Sequence, residues 1–202
     1  MPHSSKVPVI AQNHVIGIEQ AHLTLLNAAR FFGSPGGAPM EGRYRAKVIG
    51  NGLRELDRFL SVLLDELAMA AGWNAADLRA LARLRNTSIK LDTVCTRLGI
   101  DAVGWESLRA LGRCRDALFH CGGTVRRGDT RHAQALTLIW PTGTGGGAGA
   151  MIRIGELLSV GPAQLFWVGA LYIRIGNDLM AAVAPFRGID ATRSRHGVPV
   201  PA

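Results

Sequence analysis

The chain reads as mainly α, an up-and-down helical bundle with one small β-hairpin before its last helix. Three observations carry that expectation. Apolar residues recur at helical spacing through most of the sequence. The period changes to strand-like runs only once, around residues 135–154. Glycine, proline and asparagine breaks fall between the periodic segments. With 202 residues, 48% of them hydrophobic, the chain suits one domain with an ample core. Residues 1–187 are expected to form that domain, and 188–202 a flexible, basic, proline-containing tail.

Taken in order, Val15, Ile18, Leu25, Leu26 and Ala29 share one stripe and predict a helix over residues 13–32. The run Gly33-Ser34-Pro35-Gly36-Gly37 ends it. A second helix is expected from residue 40 or 41 to residue 71, with Leu53, Leu56, Leu60, Leu63 and Leu67 as its buried face. Gly50 and Gly52 interrupt that pattern, either as a bend or ligand approach or simply as glycines weakening a helix. Asn74 is placed to cap a short helix reaching residue 85. Asn86-Thr87-Ser88 has the form of a glycosylation acceptor, but serves better as the break before a third core helix over 89–98. There Leu91, Val94, Cys95 and Leu98 form the stripe and Gly99 closes it. A helix opening at Asp101 or Gly104 then runs to Gly122-Gly123. Residues 135–140 and 151–154 predict two strands, joined by the glycine-rich run from Pro141 to Gly149. That run lacks the lysine and Ser/Thr ending of a nucleotide-binding loop, and a strand follows where a helix should. A closing helix runs from 161 or 162 to 183, with Leu165, Val168, Tyr172, Ile175, Leu179 and Ala182 on one face and Pro185 ending it.

The formal net charge is +8, carried by 20 arginines and three lysines. Such a balance favours phosphate-bearing partners, although arginine-rich coding has a compositional explanation too. Three cysteines, Cys95, Cys114 and Cys121, are an odd number without metal-type spacing. They predict reduced thiols and a cytoplasmic setting. No targeting segment or membrane span is expected, because the most apolar late stretch is interrupted by Arg174 and Asp178.

The chemistry concentrates in Arg113-Cys114-Arg115-Asp116-Ala117-Leu118-Phe119-His120-Cys121-Gly122-Gly123. On a regular helix Leu108, Leu111 and Leu118 form one stripe, and Arg115 falls inside it. An arginine there needs a partner. It pairs with a carboxylate on another helix, Glu55 or Asp57 being candidates, or snorkels to solvent, or faces a cleft that takes an anionic ligand. His120 lies about 140° around the helix from Arg115. Asp116, one turn earlier, is placed to orient its imidazole. A histidine in a last helical turn also serves as a partner for the helix dipole. Beyond the glycine pair, Arg126, Arg127 and Arg131 form a basic loop, which reads either as a solvated turn or as contacts for the phosphates of an RNA strand. His120-Cys121 lacks the further ligands a metal site requires, so neither a metal nor a cofactor is expected.

The segment Arg115-Asp116-Ala117-Leu118-Phe119-His120, closing a helix before a glycine turn, resembles the Arg, four to six residues, His signature of the HEPN superfamily. The resemblance covers about a dozen residues as motif and residues 10–185 as architecture. It implies a HEPN-like helical bundle that dimerises and, in active members, a metal-independent endoribonuclease whose Arg and His come from both protomers. Arg115, His120 and Asp116 are then the catalytic candidates, and Arg113, Arg126, Arg127 and Arg131 the RNA-binding ones. The resemblance also implies a toxin or defence effector, with an antitoxin as a further partner. A non-catalytic module binding RNA or protein through the same cleft is the alternative, and a helical oligomer in which both residues are purely structural is a third. One phosphate cannot be gripped by residues about 140° apart without distortion. Either a two-fold axis sets Arg115 of one copy against His120 of the other, or the glycine pair unwinds the last turn.

Overall fold

Leucines at heptad-like spacing and asparagines at helix starts are the local rules that this chain follows most closely. The computed structural model describes residues 12–34, 44–140 and 149–187. In order, the elements are α1 (Gln12–Gly33), α2 (Arg45–Ala70), α3 (Ala75–Ala82), α4 (Thr87–Leu98), α5 (Trp105–Cys121), β1 (Ala135–Thr137), β2 (Met151–Arg153) and α6 (Pro162–Arg187). The protein is a mainly helical bundle with a small two-stranded sheet, as its periodicity predicts.

α2 is the central helix. It packs against α1, α4 and α5, while α1 runs along α6 and α4 along α5. Leu53, Leu56, Leu60, Leu63, Leu64 and Leu67 of α2 are all buried. Each such leucine contributes about 1.5–3 kcal/mol through apolar area removed from water. Ile18, Leu25 and Ala29 from α1 and Val168, Tyr172, Ile175 and Leu179 from α6 complete this core.

Several boundaries differ from the sequence expectation. α2 begins at Arg45, and positions 40–43 lie outside the described residues. Gly50 and Gly52 do not interrupt it. A Cβ on Gly50 would stand 2.8 Å from the backbone nitrogen of Phe119, and one on Gly52 would stand 2.4 Å from the Phe32 ring. Both glycines are therefore contact points, letting α5 and α1 approach the α2 backbone. Asn74 caps α3 as expected, accepting from the Ala76 and Asp77 amides at 2.9 Å. α3 nevertheless stops at Ala82, before the expected residue 85. The Asn86 side chain accepts from the amides of Ser88 at 2.9 Å and Ile89 at 3.4 Å, so α4 starts at Thr87 rather than at 89. α6 runs through Pro185 to Arg187. A proline this close to a helix end forfeits one hydrogen bond but has a suitable φ, so it does not stop the last turn.

Strands β1 and β2 pair antiparallel with Leu136 opposite Ile152. They are shorter than the apolar runs suggest, because residues 138–140 leave the regular ladder after two more bonds, from the Leu138 amide to Ala150 and from the Gly149 amide to Leu138. The connecting residues 141–148 and the tail 188–202 lie outside the described residues. No described helix is long and apolar enough to cross a membrane.

Candidate functional site

The site is built from the last turns of α5 and the loop that follows it. Gly122 stops α5 in the left-handed conformation at φ 60°, and the Gly123 amide donates back to the Ala117 carbonyl at 3.0 Å. The last turn therefore stays helical through Cys121, and the glycine pair does not swing His120 back towards Arg115. Past the glycines the chain joins the strand side of the molecule. The Val125 amide donates to Glu156, and the amides of Gly155 and Leu158 donate to Val125 and Gly123 at 2.8 Å.

Arg115 settles its place on the apolar stripe with an ion pair. One terminal nitrogen donates to Asp57 Oδ2 on α2. The Tyr172 hydroxyl from α6 donates to the other Asp57 oxygen at 2.7 Å. The side chains of Arg115 and Asp57 are only 25% and 14% exposed. Burial pushes the Asp57 carboxyl above its usual range, against the opposing pull of Tyr172 and Arg115. Burial and the adjacent carboxylate push the Tyr172 phenol well above its usual value. Burial disfavours the Arg115 cation, but Asp57 and Asp116 outweigh it and raise its pKa. Glu55, the other candidate counter-ion, instead meets Arg58 at 3.6 Å on the exposed face.

Asp116 does not orient His120. Its Oδ1 accepts from Arg115 Nε at 3.1 Å and Nη2 at 2.9 Å, and no hydrogen bond joins it to the imidazole. A neighbouring guanidinium offers this carboxylate oxygen two charged donors at once, and an imidazole one turn away offers only one. His120 itself is exposed, with its ring edge-on to Phe119 at a centroid distance of 4.8 Å.

Two clefts flank this end of α5. The first, about 480 Å³, is lined by His120, Asp116, Arg113, Cys121, Arg126 and Arg127, among others. The second, about 340 Å³, holds Arg115 with Asp57, Arg109 and the start of α4. Arg113 and Asp116 belong to both and form the rim between them. Within one chain, then, Arg115 and His120 face different clefts. Arg126 and Arg127 are exposed and unpaired among the described residues. Arg131 is exposed but lines neither cleft. Arg113 is partly engaged, its Nε lying 3.1 Å from Asp129 Oδ1.

Asp129 carries no sequence signal of a site residue, yet it shapes the basic loop. Its second oxygen accepts from the Thr137 amide at 3.1 Å and from the Thr137 hydroxyl, and its own amide donates to Ala135. One carboxylate thus ties the arginine loop to α5 and β1. Periodicity marks Tyr172 only as a core residue, although a phenol on a buried stripe signals a hidden acceptor. All three cysteines are free. Burial pushes the Cys114 thiol up to about 12 and Cys95 up to about 11. Among the described residues, no three His, Cys, Asp or Glu side chains group as a metal site would need. No family model, curated protein or solved structure matches the chain.

Proposed function

We propose that this chain is a metal-independent endoribonuclease of HEPN type, with His120 as its proton-transfer residue. The observation that carries the reading is one cleft that sets an exposed histidine beside Arg113, Arg126 and Arg127. Cutting RNA with its own 2′-hydroxyl requires two things of a protein. A group must move protons near neutral pH, and histidine's ordinary pKa of about 6.5 suits that. Cations must stabilise the charge that builds on the phosphorane, and guanidinium forks match its oxygens. The 2′-oxygen forms its bond to phosphorus as the bond to the 5′-oxygen breaks. Protons leave the first and reach the second, giving a 2′,3′-cyclic phosphate and a 5′-hydroxyl.

Arg115 enters through symmetry. With α5 helical to Cys121, the angle of about 140° between Arg115 and His120 persists within a chain. A two-fold axis beside α5 would set each copy's Arg115 against the other's His120. Its carboxylate partners hold the guanidinium in one orientation, which is useful for a group meant to meet a phosphate without reorganising. A toxin or defence effector held in check by an antitoxin is the setting the resemblance implies.

The test is cleavage of a mixed RNA pool in EDTA by wild type and His120→Ala. The expected result is cyclic-phosphate ends from wild type and a loss of about 10²–10⁴-fold in the variant. Equal rates would remove His120 from the mechanism. RNA binding without cleavage by either protein would leave the non-catalytic module. Light scattering on the active sample should give twice the 21.6 kDa chain mass. Full activity in a monomer would refute the shared site.

A further inference from the structure

The Arg115 cleft has a second wall that the proposed chemistry does not use. The start of α4 supplies Thr87, a residue 8% exposed whose hydroxyl has no hydrogen-bond partner among the described residues. That hydroxyl opens into the cleft, where water or a ligand oxygen can meet it. Asn86 already caps the Ser88 and Ile89 amides, so those two N–H groups are not the open donors. Two cations remain open around the space. Arg85 and Arg109 line the cleft, are exposed, and make no ion pair among the described residues. Of its two carboxylates, Asp57 is answered by Arg115 and Tyr172, and Asp116 gives one oxygen, Oδ1, to Arg115. The positive end of the α4 dipole adds to the same field. Gly112 forms part of the floor, and a Cβ there would meet nothing within 4 Å, so the space over α5 is open.

We propose that this cleft is a phosphate-binding subsite, in which Thr87 donates its hydroxyl and Arg85 and Arg109 their guanidinium N–H groups to one phosphate group of a bound RNA strand. The assignment of the phosphate to RNA rests on the endoribonuclease reading. The subsite itself rests on the cleft alone. Across the Arg113 and Asp116 rim lies the His120 cleft, so a strand crossing that rim would place one phosphate here and a neighbouring one at His120. The subsite would then hold the strand in register rather than take part in the reaction.

Four variants of the full chain test this. Gly112→Glu puts a carboxylate into open space, with Gly112→Ala as its control. Thr87→Val removes only the hydroxyl, and it should not lower Tm because that group has no partner to lose. Arg109→Gln removes one free cation. Titration with inorganic phosphate is followed in amide proton–nitrogen spectra. The amides at positions 87 and 112 are expected to shift in wild type and in Gly112→Ala, and the Thr87 amide to stay unmoved in Gly112→Glu. A labelled 2′-O-methyl oligonucleotide lacks the attacking hydroxyl and stays intact. It should bind about tenfold more weakly to Gly112→Glu, Thr87→Val and Arg109→Gln, the loss of one charge-assisted contact each. Tighter binding of its 5′-phosphorylated form would identify a terminal phosphate, and equal binding an internal one. Unaltered oligonucleotide affinity in Gly112→Glu, or no phosphate shifts at Thr87, would overturn the subsite. Phosphate binding here without any RNA cleavage would instead sink only the catalytic reading.

Discussion

Asp57 decides what Arg115 can be. A largely buried carboxylate needs hydrogen-bond partners, and Arg115 and Tyr172 supply one to each oxygen from α5 and α6. Removing one partner of such a pair leaves a buried charge, which typically costs about 3–5 kcal/mol. Arg115 retains Asp116 and some solvent, so Asp57→Ala is expected at the lower end, about 3 kcal/mol, by urea unfolding. Tyr172→Phe deletes one hydrogen bond and should cost about 1–3 kcal/mol, since Asp57 keeps its guanidinium. If Asp57→Ala unfolds at the wild-type midpoint, the triad is not a stabilising contact. These positions are partly legible in the sequence. A cation on an apolar stripe announces a buried partner, and Asp57 is one of two carboxylates at suitable positions on the neighbouring helix. Which of the two faces inward depends on the rotation of α2, and that is set by its leucines. The orientation of Asp116 escapes the sequence for a similar reason. Helical spacing puts it near both Arg115 and His120, and only the competition between donors chooses.

The glycines of α2 and α5 show how elements set the site. Gly50→Ala drives a methyl into the Phe119 backbone at 2.8–2.9 Å, atoms that cannot swing aside. The expected cost is about 1–3 kcal/mol, as for other overpacked contacts. On the proposed ribonuclease reading RNA cleavage should fall as well, because the displaced turn carries His120. Gly112→Ala lies on the open side of α5, where nothing stands within 4 Å. There the substitution should raise stability by about 0.5–1 kcal/mol through helix propensity alone. Thermal unfolding of the pair checks both signs, and destabilisation by both would refute the contact argument. Composition marks both residues alike as helix breakers. Their opposite roles arise from which face of each helix is covered, and that is a tertiary property.

For the whole molecule, the buried thiols and phenol predict alkaline unfolding. Cys95 and Cys114 are held up at about 11 and about 12, from an ordinary value of 9.0, and burial raises Tyr172 well above its own usual value. Above about pH 9 the unfolded chain gives up these protons while the folded chain keeps them. Fewer protons bound in the unfolded state means that stability falls as pH rises. The stabilisation is complete below about pH 9 and is lost progressively towards about 12. Urea midpoints measured across that window should decline steadily, and a flat profile would show that the three groups are not buried as a set. Cys114→Ala should make the decline shallower.

The bundle class, the order of its elements and the position of the hairpin follow from periodicity and breaker residues, because these are local properties. The caps at Asn74 and Gly122 follow for the same reason, while at Asn86 only a break is legible, and the helix starts at Thr87 rather than at 89. The candidate residues of α5 are legible too, as a cation on the wrong face and a histidine before a glycine turn. Tertiary structure alone decides that Arg115 answers Asp57 and Tyr172, that Asp129 fastens the basic loop, and that Arg115 and His120 open into separate clefts. Those outcomes depend on helix rotation and on contacts between residues far apart in the chain, which no local spacing encodes.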